Sequence, residues 1–391
     1  MNYILFDDKS AKSLLPLTFT RPVAEIRIGI TTITEKWEHF LVAKFSFQTC
    51  NFLCKKYPLI QKEENLWING SIIPSEGLVK QILQLKIGQE LWQEEVLIAT
   101  RQGKELPDLD NRGSNCIECT IAITQVKNSW DIFMLNDSII RSDFEWLTKG
   151  RQSAPLSKTN TVMNPTMVFL EEGANAECAI LNATTGPIYI GKYAEVWEGS
   201  MIRGPFSLGE HANVKMGAKI YGATTIGPYC KVGGEISNSV LFGYSNKSHD
   251  GFLGNSVLGE WCNLGADSNN SNLKNNYSKV KLWSYEEEVY INTGLQFCGL
   301  IMGDHSKCSI NTMFNTGTVV GVSSNIFGTG FPPKFIPSFA WGGSEGFATY
   351  RFEEAEEVAS RVYERRGIKL DEKERNILKH IFEISTQYRS W

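Results

Sequence analysis

Aliphatic side chains recur at every sixth position through the middle of the chain. A helix repeats its apolar face about every 3.6 residues and a half-buried strand at every second residue, so a period of six fits neither. Hexads in which glycine follows the aliphatic residue, as in Ile190-Gly191 and Val232-Gly233, are typical of a β-helix built from triangular coils. The run therefore predicts a solenoid whose aliphatic residues point inward: Ile190, Val196, Ile202, Leu208, Val214, Ile220, Ile226 and Val232.

The regular period fails at two places. After Val232, Gly233-Gly234-Glu235 intervenes, and the hexads resume with an offset at Val240, Phe252, Leu258 and Leu264. Residues 267 to 295 interrupt the pattern for longer, which predicts an excursion from the coil. The period then returns through Met302, Cys308, Phe314, Val320 and Ile326.

The N-terminal part has the pattern of a layered α/β sheet. Short apolar runs at Tyr3 to Phe6, Leu66 to Asn69 and Glu95 to Thr100 predict strands, and Ser75 to Leu85 predicts a capped helix. The run Ile132 to Leu135 predicts another strand, ending at Asn136-Asp137. Ligands bind at the carboxyl ends of strands in open α/β sheets, so Asp137 is a candidate metal ligand.

These patterns divide the chain into three segments. Residues 1–160 form the predicted α/β domain, 165–340 the β-helix, and 345–391 a helical segment. A polar stretch rich in Ser, Thr, Lys and Pro between Gly150 and Asn164 is the expected link. Helices are predicted at Phe352 to Arg366 and Asp371 to Tyr388, where they would cap the open end of the solenoid or form a subunit contact.

Composition narrows the protein class. The 391 residues are 42% hydrophobic and 21% charged, and the formal charge of −4 provides no basic field for nucleic acid. The N-terminus lacks the pattern of a signal peptide, and no apolar run reaches the length of a membrane span. Nine cysteines, an odd number, fit reduced thiols in a cytoplasmic protein. The single Cys116-x-x-Cys119 pair, without a second one, does not define a zinc site.

His249 is the candidate catalytic residue, because it stands where the hexad rhythm has been interrupted. A neutral imidazole can take a proton from an amine during acyl transfer, and amide groups such as those of Asn263 and Asn272 can hold the substrate. Glu235 is a candidate for orienting sugar hydroxyls, with a solvated loop carboxylate as the alternative.

Several basic residues are candidates for binding phosphate. In the solenoid these are Arg203, Lys215, Lys219 and Lys231, although scattered lysines are usually solvated surface. In the N-terminal part, Arg21 and Lys36 offer cations for a triphosphate or a sugar phosphate, with surface charge beside a strand as the alternative. The sequence contains neither a Walker loop nor a Rossmann fingerprint.

The chain resembles a known family in its order of an α/β domain followed by a hexad solenoid. It also shares the family's motifs at Lys247 to Gly254, Asn263 to Ala266 and Ser271 to Lys274. The family is that of the bifunctional N-acetylglucosamine-1-phosphate uridylyltransferase/glucosamine-1-phosphate acetyltransferases (GlmU-like), most closely the divergent branch of Bacteroidetes-type bacteria. The resemblance covers nearly the whole chain. It implies a nucleotidyltransferase-like α/β domain followed by a left-handed parallel β-helix.

The resemblance also implies roles for individual residues. His249 becomes the general base for glucosamine 1-phosphate, and Asn263 and Asn272 become substrate-binding amides. Phe252 stands where the family has a Tyr that contacts the sugar, and Ala266 matches a backbone contact to acetyl-CoA. The lysine that binds the sugar phosphate is out of register, which leaves Lys274, Lys279 and Lys281 open.

The N-terminal half departs from the family pattern. Phe6 to Lys12 contains no glycine where the family has a Gly-rich turn, and this makes close approach of the backbone to phosphates harder. Asn136-Asp137 matches the family's Gly-Asp position, which implies that Asp137 binds Mg²⁺. Uridylyl transfer is accordingly less well supported than acetyl transfer.

The implied enzyme is a cytoplasmic transferase that makes UDP-N-acetylglucosamine for cell-wall precursors. It would use Mg²⁺, UTP, a sugar 1-phosphate and acetyl-CoA, and would assemble as a homotrimer without nucleic acid or membrane partners. Three alternatives stay open. They are a sugar-1-phosphate nucleotidyltransferase of other specificity with one active site, a β-helix carbonic anhydrase using His211, His249 and His305, and a non-catalytic scaffold.

Overall fold

A computed structural model describes all residues, 1–391, and the chain separates into two compact units. The first comprises Met1–Leu14, Thr20–Ile26 and Thr31–Asn128, and the second Leu15–Phe19, Arg27–Ile30 and Ser129–Trp391. The division after Asn128 precedes the link predicted near residues 150–164, and the predicted boundaries 1–160, 165–340 and 345–391 stay a prediction. No helix is both long and apolar enough to cross a bilayer.

The first unit is built on a six-stranded mixed sheet. Its strand order is Ser46–Gln48, Asn2–Phe6, Asn65–Asn69, Val96–Gln102, Gln89–Gln93 and Cys116–Glu118. The pair Ile72–Ile73 and Thr124–Gln125 is antiparallel, and Thr31–Thr32 is a further short strand. The unit's helices are Ser10–Ser13, Ile33–Leu41 and Glu76–Leu83, with 3₁₀ turns at Val23–Glu25 and Asn51–Leu53.

The predicted strands at Tyr3, Leu66 and Glu95 are confirmed to within a few residues, as is the predicted helix. Ser75 caps that helix by accepting a hydrogen bond from the backbone N–H of Leu78. The core of the sheet buries large apolar side chains on one face: Ile4, Phe6, Trp67, Trp92 and Leu97. Alternating elements in the sequence therefore identified this layer correctly.

The predicted strand at Ile132 to Leu135 is wrong. These residues lie in a short helix, Asp131–Met134, followed at once by the helix Asn136–Thr148, and both belong to the second unit. A four-residue apolar run fits a buried helical turn as well as a strand, because the two periods cannot be distinguished over so short a length. Ile132 and Phe133 are buried as predicted, but Asp137 starts a helix and does not end a strand.

The predicted solenoid is confirmed, and it is a left-handed β-helix of three parallel sheets. A nine-stranded sheet contains Val168–Leu170, Ile188–Ile190, Phe206–Leu208, Thr224–Ile226, Val240–Gly243, Val257–Glu260, Leu300–Met302, Thr318–Val320 and Phe335–Ile336. A six-stranded sheet contains Thr161–Met163, Ile180–Asn182, Met201–Arg203, Lys219–Tyr221, Glu235–Ser237 and Phe252–Gly254.

The third sheet has ten strands, and we call it the site sheet because it carries the candidate site described below. It contains Asn175–Ala176, Glu195–Val196, Asn213–Val214, Lys231–Val232, Asn246–Lys247, Asn263–Leu264, Lys307–Cys308, Asn325–Ile326, Ala340–Gly343 and Gly346–Thr349. All of its pairs are parallel except the terminal hairpin.

The hexad residues line the solenoid interior, as their spacing predicts. All eight, from Ile190 to Val232, belong to one buried core cluster, and so do Met302, Cys308, Phe314, Val320 and Ile326. Leu208 pairs with Ile226 on the next coil, a step of 18 residues, or three hexads. The first interruption shortens this step, because Ile226 pairs with Leu241 after only 15 residues.

The offset after Val232 is predicted wrongly at two of four positions. Leu241 and Leu253 belong to the inner cluster in place of Val240 and Phe252, whereas Leu258 and Leu264 are inside as predicted. Because this coil is shorter, the inward-facing residue of these two strands lies one position later than predicted. Phe252 instead pairs with Glu235 in the six-stranded sheet and is partly exposed.

The second interruption is the predicted excursion. It contains Asn269–Asn270, which pairs with Met313–Phe314, and an antiparallel hairpin, Lys281–Ser284 with Val289–Asn292. The coil resumes when Leu258 pairs with Met302. The remaining elements of this unit are the strand Arg27–Ile28 and 3₁₀ turns at Leu17–Phe19 and Pro165–Met167.

Two C-terminal helices follow the last coil. They span Phe352–Glu364 and Glu372–Ile384, with a 3₁₀ turn at Ser385–Tyr388, close to the predicted bounds. Phe382 contacts Phe339 of the last coil edge-on at 5.1 Å. Tyr363 stacks on Trp261 at 4.1 Å, so the first helix also packs along one corner of the solenoid.

Candidate functional site

The His249 loop, residues 248–251, crosses a corner of the solenoid after the strand Asn246–Lys247. Glycine is needed beneath it: a Cβ on Gly233 would lie 2.3 Å from the carbonyl oxygen of Ser248. Gly251 has φ of +109°, and a Cβ there would lie 2.2 Å from the carbonyl oxygen of Ser268. The glycines that interrupt the hexads thus let the loop pack closely between neighbouring coils.

Four of the predicted site residues lie together in one cavity of about 620 Å³, which we call the His249 cavity. His249, Asn263, Ala266 and the phosphate-binding candidate Lys231 all line it. The ladder of the site sheet explains part of this arrangement, because Asn263 pairs with Asn246 on one side and with Lys307 on the other. Residues that are distant in sequence are therefore stacked on successive coils.

The His249 cavity is cationic. Lys231, Lys307, Arg365 and Arg366 line it, and none of its lining residues is acidic. Burial lowers the pKa of Lys307 to about 8, and its ammonium donates a hydrogen bond of 2.8 Å to the carbonyl oxygen of His305. Such a concentration of positive charge suits phosphate or another anion.

An apolar wall completes the cavity. Tyr244 and Trp261 line it from the solenoid corner, and Val362 lines it from the first C-terminal helix. Sequence reasoning missed Lys307, Arg365 and Arg366, although Lys231 was among its phosphate-binding candidates. The adjacent basic pair Arg365-Arg366 was visible in the sequence, but nothing local relates it to His249.

Other predicted solenoid residues lie on the six-stranded sheet and do not line the His249 cavity. Lys219, Glu235 and Phe252 pair in one row across three successive strands. The Glu235 carboxylate accepts a hydrogen bond of 2.6 Å from the hydroxyl of Tyr221, and this bond raises the pKa of Tyr221 to about 12. The loop alternative for Glu235 does not hold, because the residue lies in a strand.

The predicted residues of the excursion form a separate group. Asn272 donates a hydrogen bond of 2.8 Å to the side chain of Asn255. Asn272 and Phe252 both lie over Gly254, where a Cβ would be 2.7 Å and 2.5 Å from them. Lys274 donates to the carbonyl oxygen of Lys279 at 2.8 Å and lines a cleft of about 440 Å³ together with Lys334, whereas Lys279 does not line it.

The first unit has its own cavity of about 900 Å³, beside the segment Phe6 to Lys12, which matches the family's Gly-rich turn. Asp8, Lys9 and Ser10 line it, as do Arg112 and Lys127. The Asp8 carboxylate accepts hydrogen bonds from the backbone of Ser10 at 2.9 Å and from the side chains of Asn69 at 2.8 Å and Gln125 at 3.0 Å. Neighbouring Asp7 does not line the cavity, and burial raises its pKa to about 6.

Arg21 and Lys36 do not line this N-terminal cavity. Arg21 is 3% exposed and Lys36 is 1% exposed, so the surface-charge alternative is wrong for both. The Lys36 ammonium donates to the backbone carbonyl of Thr31 at 3.0 Å and to its hydroxyl at 2.9 Å. These hydrogen bonds hold the Lys36 side chain against Thr31, just before the helix that carries Lys36.

Asp137 is exposed in the first turn of its helix, and its carboxylate forms an ion pair of 2.6 Å with Arg141. Nowhere in the structure do three or more His, Cys, Asp or Glu side chains form a group able to hold a metal ion. His211 and His305 instead stack on aromatic rings at the solenoid corner, at 4.9 Å from Tyr229 and 6.3 Å from Trp261. The carbonic anhydrase alternative therefore has no three-histidine site within this chain.

Comparison with known proteins supports the family resemblance. A sugar nucleotidyl transferase family model matches residues 3–152. The bifunctional protein GlmU of Methanococcus aeolicus is 30% identical over 90 residues, 23% of this chain and 21% of that protein. These matches support a GlmU-like family. GlmU of Methanocaldococcus jannaschii is likewise 30% identical over 87 residues, 22% of this chain and 21% of its own length.

This chain thus spans about a fifth of the length of the curated relatives it matches. Among solved structures it is similar to a hexapeptide transferase family protein from Anaplasma phagocytophilum, with 15% identity, a TM-score of 0.24, and coverage of 59% of this chain and 93% of that one. An Arabidopsis UDP-N-acetylglucosamine acyltransferase has 11% identity, a TM-score of 0.25 and coverage of 52% and 77%. The predicted enzyme class, a transferase, is confirmed.

Proposed function

We propose that this GlmU-like chain is a sugar-nucleotide transferase with two activities. The solenoid transfers the acetyl group of acetyl-CoA to the amine of glucosamine 1-phosphate. The first unit transfers the uridylyl group of UTP to N-acetylglucosamine 1-phosphate and yields UDP-N-acetylglucosamine. One observation carries the proposal: His249, Asn263 and Ala266 share a cavity lined by four cationic side chains and no acidic one.

The acetyl-transfer chemistry follows from the lining of the His249 cavity. The free amine of the sugar attacks the thioester carbonyl, the His249 imidazole takes the proton from the amine nitrogen, and the coenzyme leaves as a thiolate. Lys231, Lys307, Arg365 and Arg366 bind the coenzyme phosphates, and Trp261 and Val362 contact its apolar parts. Asn263 orients the substrate by hydrogen bonding.

The sugar phosphate is assigned to the neighbouring group of residues. Phe252 contacts the sugar ring, Glu235 its hydroxyls and Asn272 an oxygen of the substrate, while Lys219, Lys274 or Lys279 binds the phosphate. The solenoid is proposed to assemble as a homotrimer in the cytoplasm, in which residues of the excursion contribute to a neighbour's site. All nine cysteines are free, which suits a reducing compartment.

Uridylyl transfer is assigned to the cavity of the first unit. An oxygen of the sugar 1-phosphate attacks the α-phosphorus of UTP in line, and pyrophosphate leaves. Lys9, Arg112 and Lys127 offset the negative charge there. Arg21 and Lys36 are buried and do not line the cavity, so they support its structure without touching the substrate. Asp137 is exposed and paired with Arg141, so its surroundings do not fit a bound Mg²⁺.

A second candidate is a chain with acetyl transfer alone. It is favoured by the burial of Arg21 and Lys36, the cations expected to bind the triphosphate. In that case the first unit binds UTP without turning it over. The two candidates differ in whether pyrophosphate is released.

A substrate panel tests both activities on the purified full chain. Nucleoside triphosphates and sugar 1-phosphates are combined with and without acetyl-CoA and Mg²⁺, and the products are identified by mass. We expect acetylated sugar phosphate wherever glucosamine 1-phosphate and acetyl-CoA are both present, and UDP-N-acetylglucosamine wherever UTP is combined with N-acetylglucosamine 1-phosphate, either supplied or formed in the assay. Absence of any acetylated product contradicts the proposed acetyl transfer. Sedimentation as a monomer that still acetylates contradicts the proposed trimer.

A further inference from the structure

One charged side chain lies inside the solenoid, in a row that is otherwise apolar. Lys247 pairs with Val232 on the inner face of the site sheet, and it is followed on the next coil by Leu264. It is 2% exposed. An aliphatic residue would satisfy both the hexad and the burial, so the charge needs a separate physical reason.

The contacts of the Lys247 ammonium supply this reason. It donates hydrogen bonds to the carbonyl oxygen of His249 and, at 3.1 Å, to that of Asp250. The Asp250 carbonyl also accepts from the backbone N–H of Asp267 at 3.0 Å. The His249 loop is therefore held from the interior by Lys247, while His249 itself is exposed and lines the cavity.

We propose that Lys247 is a positioning residue that fixes the His249 loop and thereby directs the imidazole into the cavity. A general base must lie within hydrogen-bonding distance of the proton it takes, and small displacements of a catalytic group lower rates strongly. Burial also lowers the pKa of Lys247 to about 8, which shows that the charged form is costly at this position. The activity part of this proposal rests on the proposed acetyl transfer.

The test replaces Lys247 with Met, which keeps the length and apolar character of the side chain but removes the charge. We expect kcat for acetyl transfer to fall about 10- to 100-fold, because the base is no longer held in place. KM for acetyl-CoA should stay unchanged, since no cationic residue of the cavity is altered. A purely structural role would not separate kcat from KM in this way.

A second measurement does not depend on activity. Hydrogen–deuterium exchange of a peptide covering residues 248–251 should speed up in Lys247→Met, because two carbonyls lose their interior donor. Lys307→Met is the matched control for exchange. Lys307 is half-buried, also has a lowered pKa and also donates to a backbone carbonyl, but that carbonyl belongs to His305. Its loss should leave exchange of the His249 loop at the wild-type rate.

The outcomes separate this proposal from the proposed function. If the wild-type chain does not acetylate, the proposed function fails, and loop exchange alone decides the role of Lys247. Unchanged exchange in Lys247→Met overturns the proposal, as does faster exchange with a wild-type kcat. If Lys247→Met does not fold, Lys247→Gln, which keeps a hydrogen-bond donor, takes its place. A wild-type kcat together with wild-type exchange in Lys247→Gln supports the donor role. A reduced kcat with wild-type exchange overturns it.

Discussion

At the scale of single residues, the candidate site consists of side chains that ordinary solenoid packing does not require. Lys247 occupies an inner position where Val232 and Leu264 stand on neighbouring coils. Gly233 and Gly251 lie where a Cβ would collide with backbone oxygens. Each departure from the hexad pattern shapes the loop that carries His249.

The buried Lys247 makes a prediction about stability and pH. Its pKa in the folded chain, lowered mainly by desolvation to about 8, is below its usual value of 10.5, and the nearby Asp250, Asp267 and Cys308 act in the opposite direction. At pH values below about 8, Lys247 is protonated in both the folded and the unfolded state, so the folded state bears the full cost of the buried charge. Between these two pKa values the unfolded state binds more protons, and stability should rise with pH.

Lys247→Leu removes this cost. We expect the variant to be more stable than the wild type by about 1–3 kcal/mol near neutral pH, because replacing a buried charge by a well-packed apolar residue is often stabilising. The difference should shrink as pH rises through about 8 toward 10.5. Denaturant unfolding at several pH values measures it. A variant less stable than the wild type at neutral pH would contradict this assignment of the charge.

At the scale of elements, one corner of the solenoid forms a ladder of stacked aromatic rings. Trp261 lies 4.1 Å from both Tyr244 and Tyr363, and Tyr244 lies 4.9 Å from Tyr229. The ladder thereby joins the β-helix to the first C-terminal helix. That helix and the turn after it supply Val362, Arg365 and Arg366 to the cavity.

Tyr363→Ala tests this connection. Removing a buried aromatic side chain should cost about 3 kcal/mol of unfolding free energy and loosen the helix from the corner. KM for acetyl-CoA should rise several-fold, because Arg365 and Arg366 are no longer held over the cavity. Tyr363→Phe keeps the ring and is the matched control. Thermal unfolding and initial rates measure both effects, and an unchanged KM in Tyr363→Ala would count against the helix as part of the site.

The elements also show which features the sequence could predict. The inner hexad residues were identified correctly because a repeating apolar period reports burial directly. The frame at Val240 and Phe252 was missed, since a coil of 15 residues cannot be distinguished from one of 18 without its neighbours. The helix at Asp131–Met134 was missed because four apolar residues contain too little periodicity.

At the scale of the whole molecule, the sequence brought together only part of the site. His249 and Asn263 were found from the interrupted hexads and the chemistry of their side chains, Ala266 was found from the family resemblance, and the three share a cavity. Arg365 and Arg366 lie about a hundred residues farther along, so only the fold brings them to His249. In the first unit, Arg21 and Lys36 were chosen for their charge, but their burial could not be foreseen from charge alone.

His249 is proposed to be the base of an acetyl transfer in this cavity. The most direct measurement is the initial rate of acetylation of glucosamine 1-phosphate by the wild type and by His249→Ala, at saturating acetyl-CoA. We predict that kcat falls by about 10²- to 10⁴-fold in the variant. Release of pyrophosphate from UTP, measured separately with supplied N-acetylglucosamine 1-phosphate, should be unaffected. A variant that acetylates at the wild-type rate would contradict the claim.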